Sequence, residues 1–180
     1  MNQSVFAIIG DALICCCSDA AHIEIPEGVT KIGECAFSGC ENLQNVTFPQ
    51  SLTEIGQFAF LNCDQLQNLI LPANVKRIGK AAFKGCKGLV DENGLVVVNH
   101  MVHDYCGESE RVIIPEGITT IGYEAFYRNQ RIRFVTLPPD VEFISSCAFD
   151  GCHNLTLQVH SGSRGEAFAR KKGIAFSVIE

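Results

Sequence analysis

A chain of 180 residues with a formal charge of −6 is long enough to bury a core of its own, and its scattered Lys and Arg form no basic patch of the kind a nucleic-acid partner requires. Hydrophobic residues make up 47% of it, which excludes a disordered chain. No apolar run approaches the ~20 residues of a membrane span.

The apolar stretch from Phe6 to Cys17 follows Met1-Asn2-Gln3-Ser4, without basic residues, and is followed by no small-residue cleavage site beyond a poor fit at Asp19-Ala20-Ala21. It therefore reads as mature structure and not as an export signal. Gly10-Asp11 suits the turn of a hairpin, giving an N-terminal hairpin over 1–22 that would cover the open end of the segment beginning at Ile23.

From residue 23 the chain repeats itself. Pro26, Pro49 and Pro72 lie 23 residues apart, as do Pro115 and Pro138. Ile32, Ile55, Ile78, Ile121 and Ile144 follow each proline by six positions, and Phe37, Phe60, Phe83, Phe126 and Phe149 by eleven. Five units thus begin at Ile23, Val46, Leu69, Val112 and Val135, three over 23–89 and two over 112–157. Each opens on an alternating segment such as Ile23-Glu24-Ile25, which predicts a short strand ended by proline. Gly33, Gly56, Gly79 and Gly122 then break the chain, with Ser145 in the fifth unit. The Ala-Phe pair and its neighbours predict a short helical turn that drives the Phe inward. One unit cannot bury these residues alone, but stacked units can, with the five Phe forming an internal spine.

The unit Ile25-Pro26-Glu27-Gly28-Val29-Thr30-Lys31-Ile32-Gly33, followed by Ala36-Phe37-Ser38-Gly39-Cys40, resembles the BspA-like leucine-rich repeat. The resemblance implies an α/β repeat solenoid, a leucine-rich-repeat coil of short strands and short helical turns. It also implies proteins displayed on bacterial surfaces, some of them adhering to host matrix proteins. The chain itself carries no recognisable export signal or anchor, and its abundant thiols suit a reducing interior.

The residues between the third and fourth units repeat the N-terminus at an offset of 89: Phe6, Ile8, Leu13, Cys17 and Ile23 fall on Leu95, Val97, Val102, Cys106 and Val112. The segment 90–111 is therefore an internal hairpin turning at Asn99-His100, either stacked inside the coil or protruding from it. Residues 158–180 predict a helix–strand cap: Ser163 and Glu166 form a capping box, Lys171 and Lys172 suit the last turn, Gly173 suits the C′ position, and Ile174, Phe176 and Val178 alternate as a closing strand. The expectation is one domain over 1–180.

Ten cysteines would indicate a disulfide framework if irregularly spaced, but Cys40, Cys63, Cys86 and Cys152 share one repeat position, held by Asn129 in the fourth unit. A place that accepts Cys or Asn suits a small side chain reaching a backbone group at a tight corner, so a thiol ladder is expected over bridges. Cys15-Cys16-Cys17 with His22, and His100, His103 and Cys106, fail as metal sites because adjacent residues on a strand point to opposite faces. No metal or cofactor is expected. Cys106 with His103 and Asp104 is the one nucleophile–base arrangement available, but His103 falls on Ile14 at the 89-residue offset, so the pair belongs to no duplicated site.

These readings predict a non-catalytic scaffold that binds a protein or surface ligand through the outward side of its strands, as a monomer or a weak dimer. The alternatives are a structural spacer without a ligand and, more remotely, a Cys-dependent enzyme. Alternation puts Glu24, Thr47, Ile70, Ile113 and Thr136 outward, preceded by His22, Asn45, Asn68, Arg111 and Phe134. Of these, Asn45, Thr47, Asn68, Ile70, Arg111, Ile113, Phe134 and Thr136 make up the candidate binding set. Ile70, Ile113 and Phe134 are apolar where a solvated face would be polar; either neighbouring chain covers them or they mark a partner site.

Overall fold

A computed structural model describes residues 6–180, which divide into two compact units between Val90 and Asp91. Each unit is a β-solenoid in which successive coils add strands to parallel ladders.

The first unit opens with an antiparallel hairpin of β1 (Phe6–Ile9) and β2 (Ala12–Cys16). β2 then pairs in parallel with β4 (Lys31–Ile32), which pairs with β6 (Glu54–Ile55), which pairs with β7 (Arg77–Ile78). A second, shorter ladder holds β3 (His22–Glu24) and β5 (Asn45–Thr47). The second unit repeats the plan. Its hairpin is β8 (Leu95–Val98) and β9 (Met101–Tyr105), and β9 leads a parallel ladder through β11 (Thr120–Ile121) to β13 (Phe143–Ile144). The other ladder runs β10 (Arg111–Ile113), β12 (Phe134–Thr136), β14 (Thr156–His160) and β15 (Ala175–Ile179), with the helix α1 (Arg164–Lys172) between the last two in sequence.

Both hairpins are thus coils of the solenoid: Leu13 stands opposite Ile32, and Val102 opposite Ile121, all four buried. Both also shift register at the same point, between Ala7 and Ile8 and between Val96 and Val97, 89 residues apart. The turn of the second hairpin lies at Asn99 and His100, with φ of 50° and 60°, the left-handed pair that a tight two-residue hairpin turn needs.

The core is a stack of rings. Phe37 and Phe60 lie 4.8 Å apart and Phe60 and Phe83 5.3 Å apart, with planes within 9° and 7° of parallel. In the second unit Tyr105 leads the stack, 5.4 Å from Phe126, which lies 5.0 Å from Phe149. The Tyr105 hydroxyl accepts from Ser109 N at 3.0 Å and donates to Ser109 O at 3.2 Å. Burying each ring is worth roughly 1.5–3 kcal/mol, and one coil alone offers no second ring to stack on. The coils meet so closely that a Cβ on Gly79 would sit 2.3 Å from Gln57 N.

Two expectations are corrected. The Ala-Phe segments are runs of turns, not helical turns. Their amides alternate: Phe37 N bonds across to Ala59 O of the next coil at 2.8 Å, whereas Ser38 N bonds back to Cys35 O at 3.0 Å. Cys35, Phe58, Ala81 and Glu124 hold φ of 50–55°, which no right-handed helix accommodates. The third unit also lacks its first strand: Asn68 takes a φ of 48°, a conformation Asn tolerates better than most residues. The backbone leaves the extended region there, and the ladder of β3 and β5 stops short of Leu69 and Ile70.

Candidate binding surface on the strand ladder

In the second unit, β10, β12 and β14 place Arg111, Phe134 and Thr156 in one row and Ile113, Thr136 and Gln158 in another. The inward residues Val112, Val135 and Leu157 are buried to 3% exposure or less, so strand alternation leaves the outward set facing water. Ile113 is 67% exposed. Beside it, the Arg111 guanidinium lies over the Phe134 ring, 4.2 Å from its centroid, a cation–π contact that leaves the ring half-buried. Thr136 donates to Gln158 Oε1 at 2.9 Å. Ion pairs from Arg133 to Glu110 at 3.3 Å and from Arg131 to Glu108 at 3.4 Å lie on the segments leading into β12 and β10. The surface is therefore an apolar and aromatic centre with paired charges close by. Gln158, Glu110 and Arg133 were not singled out in the sequence; their spacing of 22 or 23 residues from their partners was the available signal.

In the first unit the outward positions of β3 and β5 are polar. Asn45 bonds the ring of His22 at 3.1 Å, and Glu24 and Thr47 are exposed. Asn68 and Ile70 are also exposed, Ile70 to 81%, but they lie off the ladder. The structure thus brings Asn45 and Thr47 together on β5, and Arg111, Ile113, Phe134 and Thr136 together on β10 and β12. It leaves Asn68 and Ile70 outside any strand.

The cysteines serve the backbone. The thiols of Cys63, Cys86 and Cys152 donate to the carbonyls of Phe37, Phe60 and Phe126 at 3.0, 3.0 and 2.9 Å, each 26 residues earlier. Asn129, at the same repeat position, accepts instead from Arg131 N and Ile132 N within its own turn. Burial pushes the Cys40 thiol up to about 12. All ten cysteines are free. Cys106 is exposed, and its thiol lies 3.6 Å from the Asp104 carboxylate. His103 is 1% exposed, and burial lowers its pKa to about 4. Among the described residues no group of three or more His, Cys, Asp or Glu is placed to hold a metal ion.

The model of the BspA type leucine rich repeat region matches residues 7–94 and 97–162, in six copies. The chain belongs to the BspA-type leucine-rich repeat family. Its fold is shared by the pneumococcal vaccine antigen PcpA, at 23% identity over 77% of this chain and 39% of that one, with a TM-score of 0.51. A T. pallidum leucine-rich repeat protein is 24% identical over 85% of this chain and 67% of its own, with a TM-score of 0.49. A Bacteroides ovatus leucine-rich repeat protein is 33% identical over 77% of this chain and 31% of its own, with a TM-score of 0.41. The chain thus spans between 31% and 67% of the length of these three leucine-rich repeat proteins. No curated protein matches it. Among the described residues no helix is long and apolar enough to cross a membrane.

Proposed function

We propose that the chain is a non-catalytic protein-interaction scaffold that engages a partner protein through the outward face of its strand ladders. The observation that carries this reading is Ile113, 67% exposed beside the Arg111–Phe134 pair. Aromatic residues and Arg in a part-desolvated cluster are the side chains that contribute most when a partner covers them. Arg111, Ile113, Phe134 and Thr136 form the centre of this face. Asn45, Thr47, Asn68 and Ile70 are a second, more polar set on the first unit. The absence of a duplicated Cys106–His103 pair and the burial of His103 support a scaffold without a catalytic centre.

The whole of 1–180 acts in this reading as a single repeat domain and a monomer, with α1 and β15 shielding the last coil from water. The test is affinity capture from the native cell with the full chain, repeated with Ile113→Asp and Phe134→Asp. A specific partner lost by both variants supports the face. Capture undiminished by either variant assigns the contact elsewhere, and sedimentation that changes with concentration removes the monomer.

A further inference from the structure

The two ladders of the second unit end differently. The ladder of β10 and β12 continues through β14 and β15, whereas the ladder of β9 and β11 stops at β13, its edge. In this ladder and in the equivalent ladder of the first unit, the carbonyl that opens each step receives two backbone N–H groups from the next coil. Thr30 O takes them from Thr53 and Glu54 at 2.9 and 3.2 Å, and Thr119 O from Glu142 and Phe143 at 2.9 and 3.1 Å. At β13 the matching carbonyl, Glu142 O, instead receives Arg164 Nε at 3.0 Å. A side chain of α1 thus stands where the next strand's backbone would be. Further along, the carbonyls of Ile55, Val102 and Ile121 each accept an N–H of the following coil at 2.8 to 2.9 Å. Ile144 is next in that series, and among the described residues no strand pairs with β13 beyond β11 to supply its donor.

Between β13 and α1 lies a groove of about 250 Å³ lined by Phe143, Ile144, Arg164, Ala167, Phe168 and Lys171. Phe143 is 58% exposed on this edge. Arg164, Ala167, Phe168 and Lys171 fall on one stripe of the helix, which sets the two cations about 10 Å apart at the ends of an apolar floor. Among the described residues neither pairs with a carboxylate, although their neighbours Arg170 and Lys172 pair with Glu166 and Asp150. In a chain of net charge −6, two unneutralised cations bordering an apolar groove favour a ligand that is apolar in its middle and anionic at its ends. The open edge of a sheet favours an extended backbone.

We propose that this groove binds an extended acidic peptide segment of a partner protein. The segment lies extended beside β13 with a backbone N–H on Ile144 O while Arg164 keeps Glu142 O. It buries an aromatic or branched side chain between Phe143 and Phe168, and sets carboxylates against the outer edge of Arg164 and against Lys171. This surface is independent of the outward face of β10 and β12.

The experiment titrates the full chain with a fluorophore-labelled peptide Asp-Val-Phe-Val-Asp, reading anisotropy and backbone amide shifts. Saturable binding is expected, with shifts centred on Phe143, Ile144 and Phe168. Replacing both Asp by Lys, or methylating the central peptide nitrogens, should each weaken binding by about tenfold or more. Arg164→Glu with Lys171→Glu should reverse the preference to the Lys-ended peptide, Ala167→Trp should fill the groove and abolish binding, and Ile113→Asp should leave it unchanged. Equal affinity for the acidic and basic peptides overturns the proposal, as do shifts centred elsewhere, no saturation by roughly 1 mM, or binding that survives Ala167→Trp. Self-association removed by Ala167→Trp would give the groove to a second copy, and binding of dodecanoate without the peptide would give it to a small amphiphile; either result overturns it.

Discussion

The thiol of Cys63 donates to the carbonyl of Phe37 at 3.0 Å, so a side chain in one coil satisfies a backbone acceptor beneath the aromatic stack of the coil before it. Cys86 does the same for Phe60. Phe37 O also accepts Cys40 N at 3.1 Å, so the thiol supplies this carbonyl's second hydrogen bond, worth about 0.5–1.5 kcal/mol, and fills a fully buried site. Cys63→Ala should therefore destabilise the protein by more than Cys35→Ala, whose side chain is exposed. Urea melts of the two variants measure it, and equal losses would remove the hydrogen bond from the account.

The same burial predicts a division among the thiols. Cys15, Cys17, Cys35 and Cys106 are exposed, whereas Cys63 and Cys86 are buried. Burial also pushes the Cys40 thiol up to about 12, leaving almost no thiolate at neutral pH. Alkylation of the native protein at pH 7.5, read by peptide mass, should label the four exposed residues first. Cys40, Cys63 and Cys86 should react only after denaturation.

Phe60 sits between two rings, 4.8 Å from Phe37 and 5.3 Å from Phe83. Phe60→Ala removes both contacts and leaves a cavity, a loss of about 3–5 kcal/mol. Ile70→Ala, at a site 81% exposed, should change stability by less than about 0.5 kcal/mol. Thermal melts of the pair compare a stacked core residue with a surface residue in the same unit.

At Gly79 an added Cβ would lie 2.3 Å from Gln57 N and 2.5 Å from Gly56 C. Backbone cannot step aside as a side chain can, so Gly79→Ala should cost about 1–3 kcal/mol through overpacking. Gly33→Ala meets its nearest atom at 3.0 Å and should cost less. Reversal of that order in denaturant melts would show that the coils separate more easily than their spacing implies.

His103 ties stability to pH. Burial lowers its folded pKa to about 4, against a weak opposing pull from its bond to the Val98 backbone. The unfolded chain takes up the proton near pH 6.5. Between those values the unfolded state binds more protons, so stability is full above pH 6.5 and falls as pH drops toward 4. The loss from this residue should reach about 2–3 kcal/mol by pH 4.5. His103→Leu should flatten the fall between pH 7 and 4.5 in urea titrations. An unchanged slope would assign the acid sensitivity to the carboxylates.

Much of this architecture is legible in the sequence because it is periodic or local. The spacing of Phe37, Phe60 and Phe83 identifies the stack, since only residues at one phase of a 23-residue period can meet in neighbouring coils. The overlay of Leu13 on Val102 marks the two hairpins, down to a shared shift of register. Ser163 and Gly173 mark the ends of α1, where Glu166 N bonds the Ser163 hydroxyl at 3.2 Å and Gly173 takes a φ of 67°. Other features depend on what a neighbouring coil does with a group. The Ala-Phe segments read as helical, yet their alternate amides bond the next coil and leave only turns. Asn68 follows the pattern of Asn45, but its left-handed backbone ends the ladder before Ile70. Exposure of Ile113, partial cover of Phe134 by Arg111, and the groove between Phe143 and Phe168 are likewise set by which surfaces meet. The sequence by itself determined the period, the inward residues and the turn chemistry, each encoded within a few residues of itself. The tertiary structure alone decided which amides cross between coils and which apolar side chains stay uncovered, because those outcomes depend on contacts between residues 22 to 26 positions apart.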